Sequence, residues 1–166
     1  MSNMEFEKLL PGDESKISEM SQMASEIVRE HYDPILGKEQ NDYMLVKFQS
    51  VEAIKNQLEN GYRYYFAKVD GKNAGFMAFY PRGDAMYLSK LYLYKHERGK
   101  GYSKEMLAFL KRNAKAEGLF AVELNVNKRN EALEIYKRLG FEIIRAEKIN
   151  IGSGYYMDDY VCRLEF

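Results

Sequence analysis

The stretch from Leu88 to Gly118 constrains the fold more than any other part of this 166-residue chain. It combines an extended apolar run, a tight basic glycine turn and an amphipathic helix, LSKLYLYKHERGKGYSKEMLAFLKRNAKAEG. Gly99 and Gly101 let the backbone of the turn bend sharply and expose its N–H groups. The helix that follows adds unpaired N–H donors and a positive dipole end. This strand–turn–helix therefore predicts an anion site suited to pyrophosphate.

Basic side chains reinforce the turn, because Arg98, Lys100 and Lys104 place positive charge at the same point. A plain basic turn before a surface helix is the alternative interpretation. Two better-known glycine motifs are excluded. A Walker A loop requires Ser or Thr after Gly-Lys, where this chain has Gly101, and the dinucleotide fingerprint requires a third glycine where Lys104 stands.

The turn resembles the acetyl-CoA-binding signature of the GNAT superfamily of N-acetyltransferases, Arg/Gln-x-x-Gly-x-Gly/Ala. Arg98 and Gly101 match this signature, and Ser103 replaces the usual Gly or Ala with another small residue. The resemblance implies that acetyl-CoA is the acyl donor. It also implies that the donor is bound by Arg98, Gly99, Lys100, Gly101, Tyr102, Ser103 and Lys104.

A second motif carrying the resemblance runs from Asn130 to Phe141, NEALEIYKRLGF. The family pattern is Asn, then Ala, then Tyr, then Gly-Phe, and Tyr136 and Gly140 match it together with Phe141. Asn130 lies one residue closer to the alanine than the commonest spacing. Either Asn127 or Asn130 is therefore expected to supply the cofactor-side hydrogen bond of the family asparagine.

Tyr136 has two interpretations. It shares one helical face with Ala132, Leu133 and Leu139, which is typical of a core tyrosine. The resemblance instead implies that its hydroxyl points at the cofactor sulfur. Acetyl transfer expels a thiolate, and a phenol is protonated at neutral pH and can donate a proton to it.

The resemblance also assigns roles to the backbone of Leu91, Tyr92 and Leu93, in the strand before the turn. These residues are expected to pair with the pantetheine amides and to help hold the thioester carbonyl, as preorganised donors do in acyl transfer. No Ser/His/Asp or Cys/His motif supports a covalent acyl-enzyme. The expected route is direct attack of the amine on the thioester in a ternary complex.

Several groups are candidates to accept the proton of the attacking amine. Glu123 lies on the polar face of the strand after the helix, where it alternates with apolar residues. Asp158, Asp159 and His31 are further candidates, and a water chain is another route. Each of these side chains also has an ordinary interpretation as a solvated or ion-paired group.

The resemblance implies that the acceptor site is built from residues 30–48 and 152–160. Aromatic and acidic side chains in these stretches suit an ammonium group through cation–π and ionic contacts. A solvated loop with packing aromatics is the alternative. We expect a primary amine, small or polyamine-like, with a peptide N-terminus, a lysine side chain or a non-catalytic acyl-CoA-binding regulatory module as alternatives. The candidate substrate residues are His31, Tyr32, Asp33, Tyr156 and Asp158.

The remaining patterns predict early hairpins followed by strand–helix–strand units, in one N-acetyltransferase domain over residues 1–166. The fold class is α/β (α+β), GNAT-like, with a mixed, mostly antiparallel central sheet of about six or seven strands flanked by about four or five helices. Strands are predicted at 4–10, 62–69, 73–80, 85–94, 119–127, 141–150 and 155–166. In the strand at 119–127, Phe120, Val122, Leu124 and Val126 are predicted to share one face. The first helix is predicted from a cap at Asp13 or Ser15 to about residue 30, where His31–Pro34 ends it. Further helices are predicted at 37–50, at 51–60 with Ser50 as the cap, after the glycine turn up to Gly118, and at 131–139, with Pro81–Asp84 as a turn.

Composition narrows the partners and the location. The chain carries 25 basic and 25 acidic residues, so the basic excess of a nucleic-acid binder is missing. A single cysteine, Cys162, suits a reducing cytoplasm and a packed strand position. We expect no metal, no signal peptide and no membrane span. The apolar last strand and the strand before it predict a homodimer.

Overall fold

The computed structural model describes residues 4–166. These residues form seven strands, five α-helices and one short 3-10 turn at Lys95–Glu97. The strands are β1 (Met4–Lys8), β2 (Arg63–Val69), β3 (Lys72–Arg82), β4 (Ala85–Leu93), β5 (Ala121–Asn127), β6 (Glu142–Gly152) and β7 (Tyr155–Glu165). The helices are α1 (Glu14–Leu36), α2 (Lys38–Gln49), α3 (Val51–Glu59), α4 (Tyr102–Ala116) and α5 (Ala132–Arg138).

The strand order of the sheet is β1-β2-β3-β4-β5-β7-β6. Strands β1, β2 and β3 pair antiparallel, and β7 pairs antiparallel with both β5 and β6. The parallel pairing joins Ala85–Leu88 of β4 to Ala121–Leu124 of β5, with α4 as the crossover between the two strands. The mixed, mostly antiparallel sheet predicted from the sequence is confirmed.

The chain divides into two compact units. The first covers the chain up to Tyr80 together with Lys90–Leu107, and the second covers Pro81–Ser89 together with Ala108–Phe166. In the first unit one face of α1 packs with α3, β2 and β3, because its apolar residues recur at helical spacing. That core includes Ile17, Met20, Ile27, Ile54, Tyr64, Phe66 and Phe76.

The second unit buries alternate residues of β5, as period-two patterning requires. Val122, Leu124 and Val126 are buried on one face, while Glu123 and Asn125 are half-buried on the other. Phe120 was predicted to share the face of Val122, Leu124 and Val126, but β5 begins at Ala121 and the Phe120 side chain is 64% exposed. Cys162 is a free, buried thiol on β7, as predicted.

The predicted end of α1 is wrong. The helix continues through Pro34 to Leu36, so His31, Tyr32 and Asp33 lie on a helix. Proline costs one intrahelical hydrogen bond, but contacts with α2 compensate for this loss. Asn41 Nδ2 of α2 donates to Asp33 Oδ1 at 2.7 Å and to Val28 O at 3.4 Å. The tendency of proline to end a helix was therefore overridden by tertiary packing.

The turn predicted at Pro81–Asp84 is shorter than expected. Strand β3 continues through Pro81 to Arg82, and the turn is confined to Gly83 and Asp84. At the end of this longer strand, the Arg82 guanidinium lies 3.8 Å from the centre of the Tyr87 ring, a cation–π contact. By contrast, the predicted cap of α3 is confirmed, since Ser50 Oγ accepts from Ala53 N at 3.1 Å.

Candidate active site

The glycine turn and the start of α4 form an open backbone cradle in the first unit. Gly99 and Gly101 have φ values of 76° and 83°, in the left-handed region that favours glycine. A Cβ added at either position would meet no atom within 4 Å. The first N–H groups of α4 have no acceptor within the helix. The cradle therefore has the space and the donors that a pyrophosphate requires.

The basic side chains of the turn have different roles in its geometry. Arg98 donates from Nε and Nη2 to Leu93 O, both at 3.3 Å, so it ties the turn to the end of β4. Lys100 Nζ lies 3.7 Å from Glu97 Oε2, and Lys104 is exposed on the first turn of α4. The positive charge at the helix N-terminus therefore remains largely in solvent.

The end of β4 is shaped by a close approach that the sequence analysis missed. A Cβ on Gly75 of β3 would lie 2.0 Å from Tyr92 O and 3.0 Å from Leu93 Cα. Tyr94 N donates to Ala74 O at 3.0 Å immediately beyond this point. A glycine inside a strand pattern signals such an approach. Gly75 therefore permits the path of the backbone that carries Leu91–Leu93.

An aromatic cluster joins predicted substrate residues to this strand. The rings of His31 and Tyr32 are 4.8 Å apart, and the Tyr32 ring lies edge-on to Tyr92 at 6.3 Å. Phe76 contacts the same Tyr92 ring at 5.4 Å. The structure thus brings His31 and Tyr32, predicted for the acceptor, together with Tyr92, predicted for the cofactor.

Asp33 lies beside this cluster within a polar network between α1 and α2. Its carboxylate accepts from Asn41 and lies 3.7 Å from Arg29 Nη1. Arg29 also pairs with Asp42 at 2.5 Å, and this contact lowers the pKa of the Asp42 carboxyl. Asp33 is therefore partly neutralised by a cation of its own helix.

A second feature that the sequence analysis missed is Lys90, the β4 residue immediately before Leu91. It is 5% exposed although it is charged in water, and burial lowers its pKa from 10.5 to about 7. Its position in an alternating strand indicates a buried side chain, but its residue type indicates a surface position. This conflict between strand position and residue type was the signal in the sequence that could have revealed a buried lysine.

Tyr136 lies on α5 in the second unit and is half-buried. Its ring stands edge-on to Phe141 with centres 5.6 Å apart, and its carbonyl accepts from Phe141 N at 3.0 Å. The Asn130 side chain accepts from the N–H of Ala132, the first residue of α5, at 2.9 Å, while Asn127 Oδ1 accepts from Arg129 N at 2.9 Å. The two asparagines thus shape the loop that leads into the helix of Tyr136.

Glu123 is held by two guanidinium groups. Its Oε2 accepts from Arg163 Nη1 at 2.6 Å and its Oε1 from Arg82 Nη2 at 3.5 Å. Arg163 also pairs with Asp84 at 3.0 Å, and its hydrogen bonds to Asp84 and Glu123 raise its pKa. Both oxygens of the predicted base are thus engaged in ion pairs, a geometry typical of a structural carboxylate.

Asp159 has a different environment on the same face of the sheet. It lies on β7 opposite Asn127 and is 3% exposed. Its Oδ2 accepts from Asn125 Nδ2 at 3.3 Å, and Asn125 Oδ1 accepts from the Tyr87 hydroxyl at 2.8 Å. Burial raises the pKa of the Asp159 carboxyl, and the charges of Asp158 and Glu147 raise it further. A buried carboxyl with a raised pKa holds a proton more readily than an exposed one, which suits a proton acceptor.

The two other substrate candidates lie on β7 near the β6–β7 turn. Asp158 Oδ1 pairs with Lys128 Nζ at 3.2 Å, and its carbonyl accepts from Lys128 N. Tyr156 is 45% exposed, with Lys148 Nζ 5.0 Å from its ring centre. The Tyr156 ring thus already makes a cation–π contact with a lysine of β6.

Among residues 4–166, none of the helices combines the length and the apolar character that a membrane span requires. No group of three or more His, Cys, Asp or Glu side chains in that range is arranged to hold a metal ion.

A family model described as "Acetyltransferase (GNAT) domain" matches residues 32–156, which is more than half of the chain. The chain therefore belongs to the GNAT acetyltransferases, and its activity class is acetyl transfer with acetyl-CoA as the acyl donor. The suspected family is thereby confirmed. No curated protein matches the sequence.

Solved structures agree in fold. The PaiA N-acetyltransferase of Thermoplasma acidophilum in complex with coenzyme A is 19% identical, with 99% of each chain covered and a TM-score of 0.80. A GNAT acetyltransferase of Elizabethkingia anophelis with acetyl-CoA bound is 16% identical over 100% of both chains, with a TM-score of 0.66. The ribosomal-protein-alanine N-acetyltransferase of Brucella melitensis is 16% identical, with 98% of this chain and 99% of that chain covered and a TM-score of 0.67.

Proposed function

We propose that this acetyltransferase moves the acetyl group of acetyl-CoA to a primary amine by direct attack in a ternary complex. The observation that carries the proposal is the open glycine cradle at the start of α4, which Arg98 ties to the end of β4. The backbone of residues 99–104 would bind the pyrophosphate, and Leu91–Leu93 the pantetheine amides. When bound, acetyl-CoA supplies an activated thioester.

Tyr136 is proposed as the proton donor to the departing sulfur. Its phenol is half-buried, and the contact with Phe141 fixes its ring. Asn127 and Asn130 are proposed to support the cofactor from the loop before α5. A fixed phenol can donate as negative charge develops, which is when a proton is worth most to the rate.

Asp159 is proposed as the proton acceptor, in preference to Glu123. Glu123 already binds two guanidinium groups, whereas Asp159 is buried, has a raised pKa and accepts a hydrogen bond from the neutral amide of Asn125. The Asn125 amide, itself held by Tyr87, orients the Asp159 carboxyl. Activity should therefore fall as the pH decreases through the raised pKa of Asp159.

A cationic, small or polyamine-like acceptor is favoured by the aromatic cluster of His31, Tyr32 and Tyr92. Such rings attract an ammonium group, and the Asp33 carboxylate lies on the same helix as His31. Asp158 and Tyr156 are proposed to assist from the β6–β7 hairpin. A peptide N-terminus is the second candidate, since two structural neighbours are named ribosomal-protein-alanine N-acetyltransferases.

We further propose that residues 1–166 act as one N-acetyltransferase domain in the cytoplasm, as a homodimer. Support for the dimer comes from β6, an eleven-residue strand at the end of the sheet order. It exposes Ile143, Ile144 and Ile149 by 39%, 43% and 39%. Long apolar edge strands commonly pair with another chain.

An acceptor panel tests the proposed activity. The protein is incubated with acetyl-CoA and with putrescine, spermidine, tyramine or an alanine-initiated peptide, and the products are identified by mass spectrometry. Gain of one acetyl group on a small amine supports the first candidate, and on the peptide N-terminus the second. No acetylated amine in the panel, or an acetyl group only on the phenol oxygen of tyramine, contradicts both candidates.

Two matched amide variants test the proton acceptor. Asp159→Asn should lower kcat by about 10²- to 10⁴-fold and remove the acidic limb of the pH–rate profile. Glu123→Gln should keep that limb, because the carboxylate pairs with Arg163 and Arg82 instead. The reverse pattern would make Glu123 the base and would refute the assignment of Asp159.

A further inference from the structure

Lys90 is a buried lysine whose amine contacts four oxygen atoms inside the first unit. Its Nζ donates to Phe48 O at 2.6 Å, to Gln49 Oε1 at 2.9 Å and to Gln57 Oε1 at 2.9 Å. It also lies within hydrogen-bond distance of the Tyr64 hydroxyl, so its three N–H groups are shared among four oxygens. One side chain of β4 thereby connects α2, α3 and β2.

The contacts with α2 fall at the end of that helix, where the last carbonyls have no intrahelical donor. Lys90 Nζ and Gln57 Nε2 both donate to Phe48 O, the latter at 3.1 Å. The neighbouring carbonyl of Gln49 accepts from Ser21 Oγ at 2.7 Å. A cation is favourable at a helix C-terminus, so this corner provides a site for the ammonium form.

All four acceptors of Lys90 are neutral oxygens, so none supplies a counter-charge. A buried cation of this kind is expensive, and an apolar side chain of similar volume often costs less. Stability alone therefore does not account for lysine here. What lysine provides, and an apolar residue does not, is a directional connection between the end of α2 and β4.

Both connected elements belong to the proposed site. Leu91–Leu93, proposed to pair with acetyl-CoA, directly follow Lys90 on β4, and α2 belongs to the stretch proposed to bind the amine. We propose that Lys90 is a positioning residue that fixes the acceptor-side helix α2 relative to β4. This inference rests on the proposed function, and it assigns to Lys90 the alignment of the amine rather than contact with it.

The test compares Lys90→Met with wild type and with Lys72→Met, a change at an exposed lysine of β3. Steady-state kinetics use the amine with the highest kcat/KM in the panel above. Lys90→Met should raise the KM for the amine by about 10-fold or more, because small misplacements are costly. The Kd of Lys90→Met for CoA, measured by calorimetry, should change by less than about 3-fold. Lys72→Met should have the KM for the amine and the Kd for CoA of wild type.

Hydrogen exchange provides a readout that needs no activity. Amides of residues 46–53, at the α2–α3 corner, should exchange faster in Lys90→Met, while those of β1 remain protected as in wild type. If Lys90→Met does not fold, Gln49→Leu, which removes one acceptor and keeps the lysine, should give the same local increase.

Unchanged exchange at the corner, or equal losses of CoA and amine affinity, would overturn the assignment of Lys90. If wild type acetylates no amine, the proposed function fails, whatever the exchange rates are. The exchange measurement separates the two failures, because faster exchange at the corner in Lys90→Met supports the connection between Lys90 and α2 without any activity, and unchanged exchange refutes it.

Discussion

Gly75→Ala probes how β3 positions the proposed cofactor strand. The new Cβ would lie 2.0 Å from Tyr92 O, whereas real Cβ contacts stay above 3.0 Å. The two strands must therefore separate locally by at least 1.0 Å, the difference between these distances. The nearest obstacle is backbone, so no side-chain rotation relieves the contact.

The magnitude follows from this displacement. Overpacking of this kind costs about 1–3 kcal/mol, and each kcal/mol lowers the Tm of a chain of this size by roughly 2–4 °C. We therefore expect a loss of about 2–12 °C. A shift of 1 Å at Leu91–Leu93 should also weaken CoA binding by about 10- to 100-fold.

The assay combines thermal unfolding with calorimetric titration of CoA. Ala78→Val is the control, because it adds bulk at another buried position of β3. It should lower the Tm while leaving the Kd for CoA within about 3-fold of wild type. A Gly75→Ala protein with the Tm and the CoA affinity of wild type would refute the argument from the close approach.

Three other predictions follow from the same structure. Tyr136→Phe should lower kcat by about 10²- to 10⁴-fold with little change in Tm or in the KM for acetyl-CoA, and full steady-state activity would contradict its role as acid. Because burial lowers the pKa of Lys90 to about 7 from 10.5, the unfolded chain binds more protons between these values. In that pH window the unfolding free energy of wild type should therefore rise more steeply with pH than that of Lys90→Met, by up to about 1.4 kcal/mol per pH unit. The same pH dependence of the unfolding free energy in both proteins, measured by chemical denaturation, would contradict this titration of Lys90. Light scattering should give a dimer mass that falls to the monomer in Ile144→Lys, and a monomeric wild type would contradict pairing through β6.

Local features of this chain were predictable from sequence because their causes are local. Gly99 and Gly101 fix the turn through their own backbone freedom, and α4 begins at Tyr102, immediately after them. The Ser50 cap and the alternation of β5 likewise depend on neighbours only a few residues away. The sheet class followed from the order of these elements.

Features that depend on distant residues were not predictable. Helix α1 passes Pro34 because Asn41 of another helix donates to Asp33 and Val28. Lys90 is buried among acceptors that lie 26 to 42 residues earlier in the chain, so no local pattern reveals them. Glu123 was correctly placed on a polar face, but its partner Arg163 lies 40 residues later. Such pairings are set by the tertiary fold, which periodicity does not encode.

The most direct test of the account is a calorimetric titration of CoA into wild type, Gly101→Val and Gly71→Val. Gly71, in the β2–β3 turn, matches Gly101 in its positive φ of 78° and its open surroundings. Wild type and Gly71→Val should bind one CoA per chain with similar affinity. Gly101→Val should bind at least about 10-fold more weakly, because a side chain enters the pyrophosphate cradle. Equal affinity in all three proteins, or no binding to wild type, would contradict the central claim that this turn binds the acetyl donor.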